Sequence, residues 1–135
     1  MVLFGLKIKL YGGRIKYVGK GVIMKLNHLN LTVTDVPAAR EFLETYFGMK
    51  CEGTRGNAFA VMFDDEGFIL TLMKGKNVLY PVTFHIGFPQ PTEQEVDRIY
   101  SLLKDNGFEL DAPKHAHGYT FYVEAPGGFT VEVLC

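Results

Sequence analysis

The sequence has little net charge, few cysteines and no long apolar run, and each shortage excludes a class of protein. With 14 basic and 15 acidic residues, the formal net charge is −1, which gives no general attraction to nucleic acid or to an anionic membrane. Two cysteines, Cys51 and Cys135, are too few for a disulfide framework, so a reduced, cytoplasmic setting is expected. The absence of a long apolar run gives no reason to expect a membrane span.

An internal repeat organises most of the chain. His28 and His85 lie 57 positions apart, and the segments Gly67–Leu72 and Gly128–Val133 lie 61 positions apart. Offsets that drift so little indicate a duplicated unit of a strand, a helix and three strands, with short insertions in its loops. The composition, 47% hydrophobic and 21% charged over 135 residues, is typical of one compact soluble domain.

The first 23 residues stand outside the repeat. Apolar and basic residues alternate on both sides of Gly12-Gly13, which is the pattern of a β-hairpin. Two interpretations are open: an extra hairpin that covers an edge or docks on a partner, and a leader upstream of a natural start at Met24. The second is favoured because the repeat begins at once with Lys25. The predicted division is an N-terminal extension over 1–23 and one domain over 24–135, with module one at about 24–74 and module two at about 82–135.

Two helices are marked by their caps and by their apolar spacing. Asp35 is placed to cap the first helix, and Gly48 ends it. Thr92 and Glu95 form the capping box of the second helix, which ends before Gly107. Both helices carry apolar residues at helical spacing, so each is expected to pack that stripe on the core.

The predicted strands separate into an apolar face and a polar face. Successive side chains of a strand point to opposite faces. In the predicted strands 28–33 and 82–88 the apolar residues share one parity, and His28 and His85 have the other. Glu132 lies in the last strand between two valines, again opposite in parity to the apolar residues. A covered carboxylate there needs a cation or a strong donor, because burial of an unpaired charge is costly.

His28, His85 and Glu132 form a standard ligand set for one divalent metal ion, since two imidazoles and a carboxylate leave positions open for water or substrate. The alternative is that the histidines are ordinary strand residues and that Glu132 is exposed on a sheet face. Three coincidences favour the metal site. The histidines are repeat-equivalent, Glu132 has a repeat-equivalent partner at Thr71, and all four residues have the parity opposite to the apolar face.

Four segments of the repeat carry a more specific resemblance: Asn27–Asp35, Tyr46–Met49, Phe84–Ile86 and Ala125–Val133. Together they resemble the vicinal oxygen chelate superfamily, which includes glyoxalase I, fosfomycin-resistance transferases, extradiol dioxygenases and bleomycin-binding proteins. The resemblance implies an α+β fold in which paired βαβββ modules form an open, curled, glyoxalase-like barrel of mixed sheet around one metal. It also implies ligands from the first and fourth strands of each module, which are His28, Thr71, His85 and Glu132.

Thr71 departs from the glyoxalase I pattern, in which the equivalent position resembles a second glutamate. Threonine is a poor ligand and no proton acceptor at neutral pH. The resemblance therefore implies a metal-dependent lyase, isomerase, transferase or dioxygenase that uses Fe, Mn, Ni or Zn on a small molecule with two adjacent oxygens. Glu132 is the catalytic candidate, either as a permanent ligand or as a group that leaves the metal to take a proton. The alternative function is a bleomycin-resistance-type module that binds a small molecule without catalysis.

Further expectations concern the cavity, one loop and the assembly. Asn30, Thr71, Thr83 and Tyr122 are candidate cavity-lining residues. His115 and His117 form either a lid over the substrate or a solvated loop between two strands, and the solvated loop is favoured. The resemblance implies a homodimer with exchanged modules. Duplication makes such an exchange feasible, because either copy of the unit fits the same complementary surface. His28 of one chain would then share its metal with His85 and Glu132 of the other.

Overall fold

A computed structural model describes residues 2–3, 6–11, 14–19 and 24–135. Among these residues no helix has the length and apolar character needed to cross a membrane. In chain order the elements are β1 (Val2–Leu3), β2 (Leu6–Tyr11), β3 (Arg14–Gly19), β4 (His28–Val33), α1 (Val36–Phe47), β5 (Lys50–Arg55), β6 (Phe59–Phe63), β7 (Ile69–Lys74), β8 (Ile86–Pro89), α2 (Glu93–Asp105), β9 (Lys114–His115), β10 (Tyr119–Ala125) and β11 (Phe129–Leu134).

The strands form three sheets, two of which repeat one plan. Strands β1, β2 and β3 pair antiparallel in a small sheet of their own. Module one has the strand order β4-β7-β6-β5 and module two has β8-β11-β10-β9. In each module the first strand pairs parallel with the fourth, and the other pairs are antiparallel. This arrangement confirms the α+β fold of paired βαβββ modules with open mixed sheets.

Both helices begin at the capping residues that the sequence indicates. The Asp35 side chain accepts a hydrogen bond from the Ala38 backbone N–H at 3.0 Å, and Gly48 ends α1 with a left-handed φ of 66°. The Thr92 side chain caps α2 by accepting from the Glu95 backbone N–H at 3.3 Å. These caps satisfy backbone donors that have no partner inside the helix.

The two modules share one hydrophobic core. Phe47 of α1 stacks on Phe88 of β8 with ring centroids 4.3 Å apart. The backbone N–H of Thr34 donates to the carbonyl of Gly127 at 3.0 Å. A Cβ at Gly127 would lie 2.9 Å from the Cβ of Val33, and its φ of +98° also favours glycine. These contacts hold the turn before β11 against module one and so help to set the position of β11, including its polar face.

The first strand of module two is shorter than predicted. It begins at Ile86, and the preceding residues form a turn in which the Phe84 N–H donates to the Pro81 carbonyl at 2.9 Å. Val82, which was expected on the apolar face of the strand, is fully exposed. The prediction of a strand from Val82 onwards is therefore wrong, and His85 stands one residue before the strand.

Tyr80 explains why the linker does not continue as a strand. Its hydroxyl accepts from the Thr32 N–H and donates to the Thr32 carbonyl, both at 2.9 Å. Its ring stacks on Phe84 with the centroids 4.5 Å apart. A side chain thus takes the hydrogen-bonding place of a neighbouring strand on the open edge of β4.

Candidate metal and substrate site

Glu132 is a buried carboxylate in β11 on which four side chains converge. Its residue is only 4% exposed. Oε1 lies 2.6 Å from His117 Nε2, 2.7 Å from the Tyr122 hydroxyl and 2.8 Å from Thr120 Oγ1. Oε2 lies 3.1 Å from His85 Nε2. The three donors on Oε1 meet the requirement of a buried carboxylate for strong hydrogen bonds.

The contacts on Oε1 keep Glu132 ionised. Burial raises the pKa of its carboxyl, but the hydrogen bonds from Tyr122, Thr120 and His117, together with the charge of His117, outweigh burial and hold that pKa below its ordinary value. The hydrogen bond to Glu132 raises the pKa of Tyr122, and burial and the carboxylate charge raise it further. At neutral pH Glu132 is therefore the acceptor and Tyr122 the protonated donor.

Strand register brings these groups together. Tyr122 lies directly opposite Glu132 in the antiparallel pair of β10 and β11, and Thr120 lies two residues earlier on the same face. On the other side of β11, Glu132 lies opposite Gly87 of β8. Gly87 offers the carboxylate no side-chain partner on that side.

The backbone fixes the tautomer of His85. Its Nδ1 lies 2.9 Å from the carbonyl oxygen of Thr83. A carbonyl only accepts hydrogen bonds, so Nδ1 carries a proton, and in the neutral form of the ring Nε2 holds the lone pair that a metal ion requires. Nε2 faces Oε2 of Glu132 at 3.1 Å. Two acceptors at this distance repel each other unless a cation, either a proton or a metal ion, lies between them.

The His85 and Glu132 pair fits a divalent metal ion. Two ligand atoms that each lie about 2.1 Å from an ion, at right angles to one another, are separated by about 3.0 Å. The observed separation of Nε2 and Oε2 is 3.1 Å. Imidazole nitrogen and carboxylate oxygen are ligands that Mn, Fe, Ni and Zn all accept. Both groups are already oriented by hydrogen bonds on their other atoms, as metal ligands commonly are.

The remaining predicted ligand, His28, lies on the other module. It is exposed at the start of β4, and its Nδ1 lies 2.9 Å from Asn27 Oδ1. If Nδ1 donates to that amide oxygen, Nε2 is again free. No contact joins His28 to Glu132 or His85 in the described part of this single chain. Within the same residues, no group of three His, Cys, Asp or Glu is close enough to hold a metal ion.

Asn30 and Thr71 also lie on the sheet of module one. They stand opposite each other on β4 and β7, and Thr71 Oγ1 donates to Asn30 Oδ1 at 2.7 Å. The structure thus divides the predicted site residues into two sets. Module one carries His28, Asn30 and Thr71, and module two carries Thr83, His85, Tyr122 and Glu132.

A cavity of about 410 Å³ opens beside His85 in module two. It is lined by Val82, Thr83, Phe84, His85, Tyr122, Glu124 and Thr130. Two of the predicted cavity residues, Thr83 and Tyr122, are among them, whereas Asn30 and Thr71 are not. Glu124 was missed, although its parity on β10 is that of Tyr122 and would have identified it.

His117 and Thr120 are site residues that the sequence interpretation missed. The favoured solvated loop describes His117 only in part, because its side chain is 56% exposed but its Nε2 contacts Glu132 at 2.6 Å. It holds for His115, whose side chain is 74% exposed and lies 3.8 Å from Glu93. The parity of β10 places Thr120 beside Tyr122 and could have revealed it. A loop has no such periodicity, so no comparable signal was available for His117.

A family model identifies the class of protein that carries this site. The model of the Glyoxalase/Bleomycin resistance protein/Dioxygenase superfamily matches residues 25–133, and the chain belongs to that superfamily. Among solved structures, a possible glyoxalase from Bacillus cereus is 69% identical. The match covers 83% of this chain and 99% of that one, with a TM-score of 0.81.

More distant structures share the fold. Lactoylglutathione lyase from Agrobacterium tumefaciens is 18% identical over 82% of this chain and 92% of its own, with a TM-score of 0.68. A mutant of the fosfomycin resistance protein FosX from Listeria monocytogenes, solved with Mn(II) and 1S,2S-dihydroxypropylphosphonic acid, is 22% identical over 83% and 90%, with a TM-score of 0.71. No protein of curated function matches the sequence.

Proposed function

We propose that this protein is a divalent-metal-dependent enzyme that acts on a small molecule with two adjacent oxygens. The observation that carries the proposal is the geometry of the facing pair: His85 Nε2 lies 3.1 Å from Oε2 of the buried Glu132, and the ring is oriented by the contact of its Nδ1 with the Thr83 carbonyl. Superfamily membership supports it. FosX, a neighbour in fold, was solved with Mn(II) and a dihydroxypropylphosphonic acid.

In this proposal His28, His85 and Glu132 hold the metal. The bound ion supplies Lewis acidity, which stabilises the negative charge that develops on substrate oxygens. Glu132 is a permanent ligand and not the proton acceptor. Oε1 is occupied by hydrogen bonds, and the lowered pKa of the carboxyl makes it a weaker base than an ordinary glutamate. Tyr122 lines the cavity and orients Glu132 through its hydroxyl proton.

The assembly that completes the site is a homodimer. His28 lies on the sheet of module one, so a second copy would supply it to the His85 and Glu132 of the first. The linker between the modules exposes Leu79 at 92% and Val82 at 102% of their accessible surface. Large apolar side chains this exposed are candidates for burial against another copy.

Metal titration tests the proposal directly. After treatment with a chelator, the wild-type protein should bind about one Mn(II) or Zn(II) per chain in a calorimetric titration. His85→Ala should lower the affinity by more than about 100-fold, since loss of a residue that only orients a ligand already costs about 10–100-fold. His115→Ala is the matched control, because it removes a histidine of the same module that contacts Glu93 instead of Glu132. Unchanged affinity in His85→Ala would contradict the assignment.

A small-molecule binding module without catalysis is the competing function. A binding module of this kind requires no metal. The facing pair of His85 and Glu132 therefore favours the metal-dependent enzyme over the binding module. The two functions separate in one assay series. The metal-loaded enzyme should convert a compound with adjacent oxygens in a screen of such substrates, and the metal-free protein should not.

A further inference from the structure

The short loop before β10 presents His117 to Glu132 from an anchored backbone. On its first side, β9 pairs with β10 through His115 and Tyr119. Within the loop, the Ala116 N–H donates to the Gly118 carbonyl at 2.9 Å. On its second side, Tyr119 and Cys135 exchange both of their backbone hydrogen bonds at 3.0 Å. The direction of the His117 side chain is therefore set by backbone contacts on both sides of the loop.

Gly118 makes this anchoring possible. A Cβ at that position would lie 2.8 Å from the carbonyl oxygen of Cys135. Such a contact is too close for non-bonded atoms, and the group it meets is backbone that cannot turn away. Only glycine allows the loop to pack on the end of β11 in this conformation. The orientation of the His117 side chain toward Glu132 thus depends on Gly118.

We propose that His117 is a positioning residue that reserves one oxygen of Glu132 for the metal. This inference rests on the proposed function. An ionised carboxylate has no proton to give, so His117 Nε2 donates in the 2.6 Å contact to Oε1. Tyr122 donates to the same oxygen. Thr120 has one hydroxyl proton and two acceptors in reach, Oε1 at 2.8 Å and the Val133 carbonyl at 3.1 Å.

The consequence concerns how the carboxylate binds. With Oε1 engaged by His117 and Tyr122, only Oε2 is available beside His85 Nε2, so Glu132 binds through a single oxygen. A carboxylate that used both oxygens would take a second coordination position. His117 therefore keeps a position free for a substrate oxygen, which a substrate that binds through two oxygens needs.

Manganese binding provides a test that does not depend on turnover. In His117→Ala, Oε1 loses its shortest contact and keeps only the hydroxyl donors of Tyr122 and Thr120, so it can turn more readily toward the metal. The affinity for Mn(II) should fall about tenfold, as for loss of an orienting residue, and the water-proton relaxivity per bound Mn(II) should fall because one bound water is displaced. His117→Gln, whose amide Nε2–H can replace the ring donor, should restore both values toward wild type. His115→Ala, in the same loop, should change neither.

The outcomes separate this inference from the proposed function. If wild-type protein binds no Mn(II), the proposed function fails. If wild type binds and His85→Ala does not, but His117→Ala keeps wild-type affinity and relaxivity, only the role of His117 is overturned. Loss of binding in His117→Ala as complete as in His85→Ala would make His117 a direct ligand and also overturn it. Should His117→Ala not fold, Gly118→Ala displaces the loop with His117 still present, and the same fall in relaxivity is expected.

Discussion

Replacement of Thr120 by valine tests whether Glu132 is a buried charge held by its donors. Thr120 is 1% exposed and its hydroxyl lies 2.8 Å from Oε1 of Glu132. Valine has nearly the same shape, so Thr120→Val removes the hydroxyl without leaving a cavity. The carboxylate stays buried with one donor fewer. Any loss of stability therefore measures the hydrogen bonds of the hydroxyl, to Glu132 and to the Val133 carbonyl, and not the packing.

The expected loss follows from the kind of hydrogen bond. A hydrogen bond to a charged group contributes about 1.5–3 kcal/mol. Tyr122 and His117 still reach Oε1 in the variant, so we expect the lower part of this range, about 1.5–2 kcal/mol. For a domain of this size, that loss lowers Tm by about 5–10 °C. Thr130→Val is the matched control, since Thr130 donates to the exposed Glu124 and should cost less than about 0.5 kcal/mol.

The penalty of Thr120→Val should depend on pH, because it depends on the charge of Glu132. Because the pKa of Glu132 is lowered in the folded protein, its ionisation stabilises the fold fully above the unfolded value of about 4.3. This contribution is lost as the pH falls through the folded value. Urea unfolding of metal-free protein should therefore show the full penalty of Thr120→Val at pH 7 and a smaller one below about pH 4. Equal stability of the Thr120 and Thr130 variants at pH 7, or a penalty unchanged at low pH, would refute the reasoning.

Two further predictions concern the assembly and the reaction. Mixing His28→Ala chains with Glu132→Ala chains should restore some sites with all three ligands, measured as recovered metal binding, if the modules are exchanged; a monomer with full metal occupancy at micromolar concentration would exclude exchange. The wild-type protein should turn over the hemithioacetal of methylglyoxal and glutathione weakly, and Thr71→Glu should raise that rate, because Thr71 provides neither a second anionic ligand nor a base. Efficient turnover by the wild type with no gain in Thr71→Glu would show that the missing carboxylate does not limit the reaction.

Local patterns in the sequence predict most of the fold. Caps at Asp35 and Thr92 and apolar periodicity define both helices, and alternation of apolar residues defines the strands. Parity also identifies Glu132 as an unusual residue, since a carboxylate between two core valines needs partners. The same reasoning fails from Val82 to His85, where the alternation persists but Tyr80 and Pro81 turn the linker onto the edge of β4. Tertiary contact overrides the local pattern there.

The partners of Glu132 were only partly predictable. Tyr122 and Thr120 lie on the same face of the sheet as Glu132. The alternation of side chains along β10 makes this shared face readable from the sequence. His117 reaches the same oxygen from a loop whose conformation depends on a contact between Gly118 and the carbonyl of Cys135. Residues so far apart in sequence meet only after β10 and β11 have paired. No spacing in the sequence indicates that contact. A loop histidine in contact with Glu132 therefore could not be distinguished from one in solvent.

The two modules differ at the strand position that Glu132 occupies in module two. Thr71 and Glu132 are repeat-equivalent, but Thr71 faces Asn30 across β4, whereas Glu132 faces Gly87 across β8. In module one, Asn30 Oδ1 accepts a hydrogen bond from the Thr71 hydroxyl, and both side chains are uncharged. In module two, Gly87 has no side chain to pair with Glu132, and the donors come from β10 and the loop before it. Each module keeps one histidine at the matching position, so duplication provides two imidazoles. In the proposed site, the neutral Thr71 would leave a bound metal ion with more positive charge to share with a substrate.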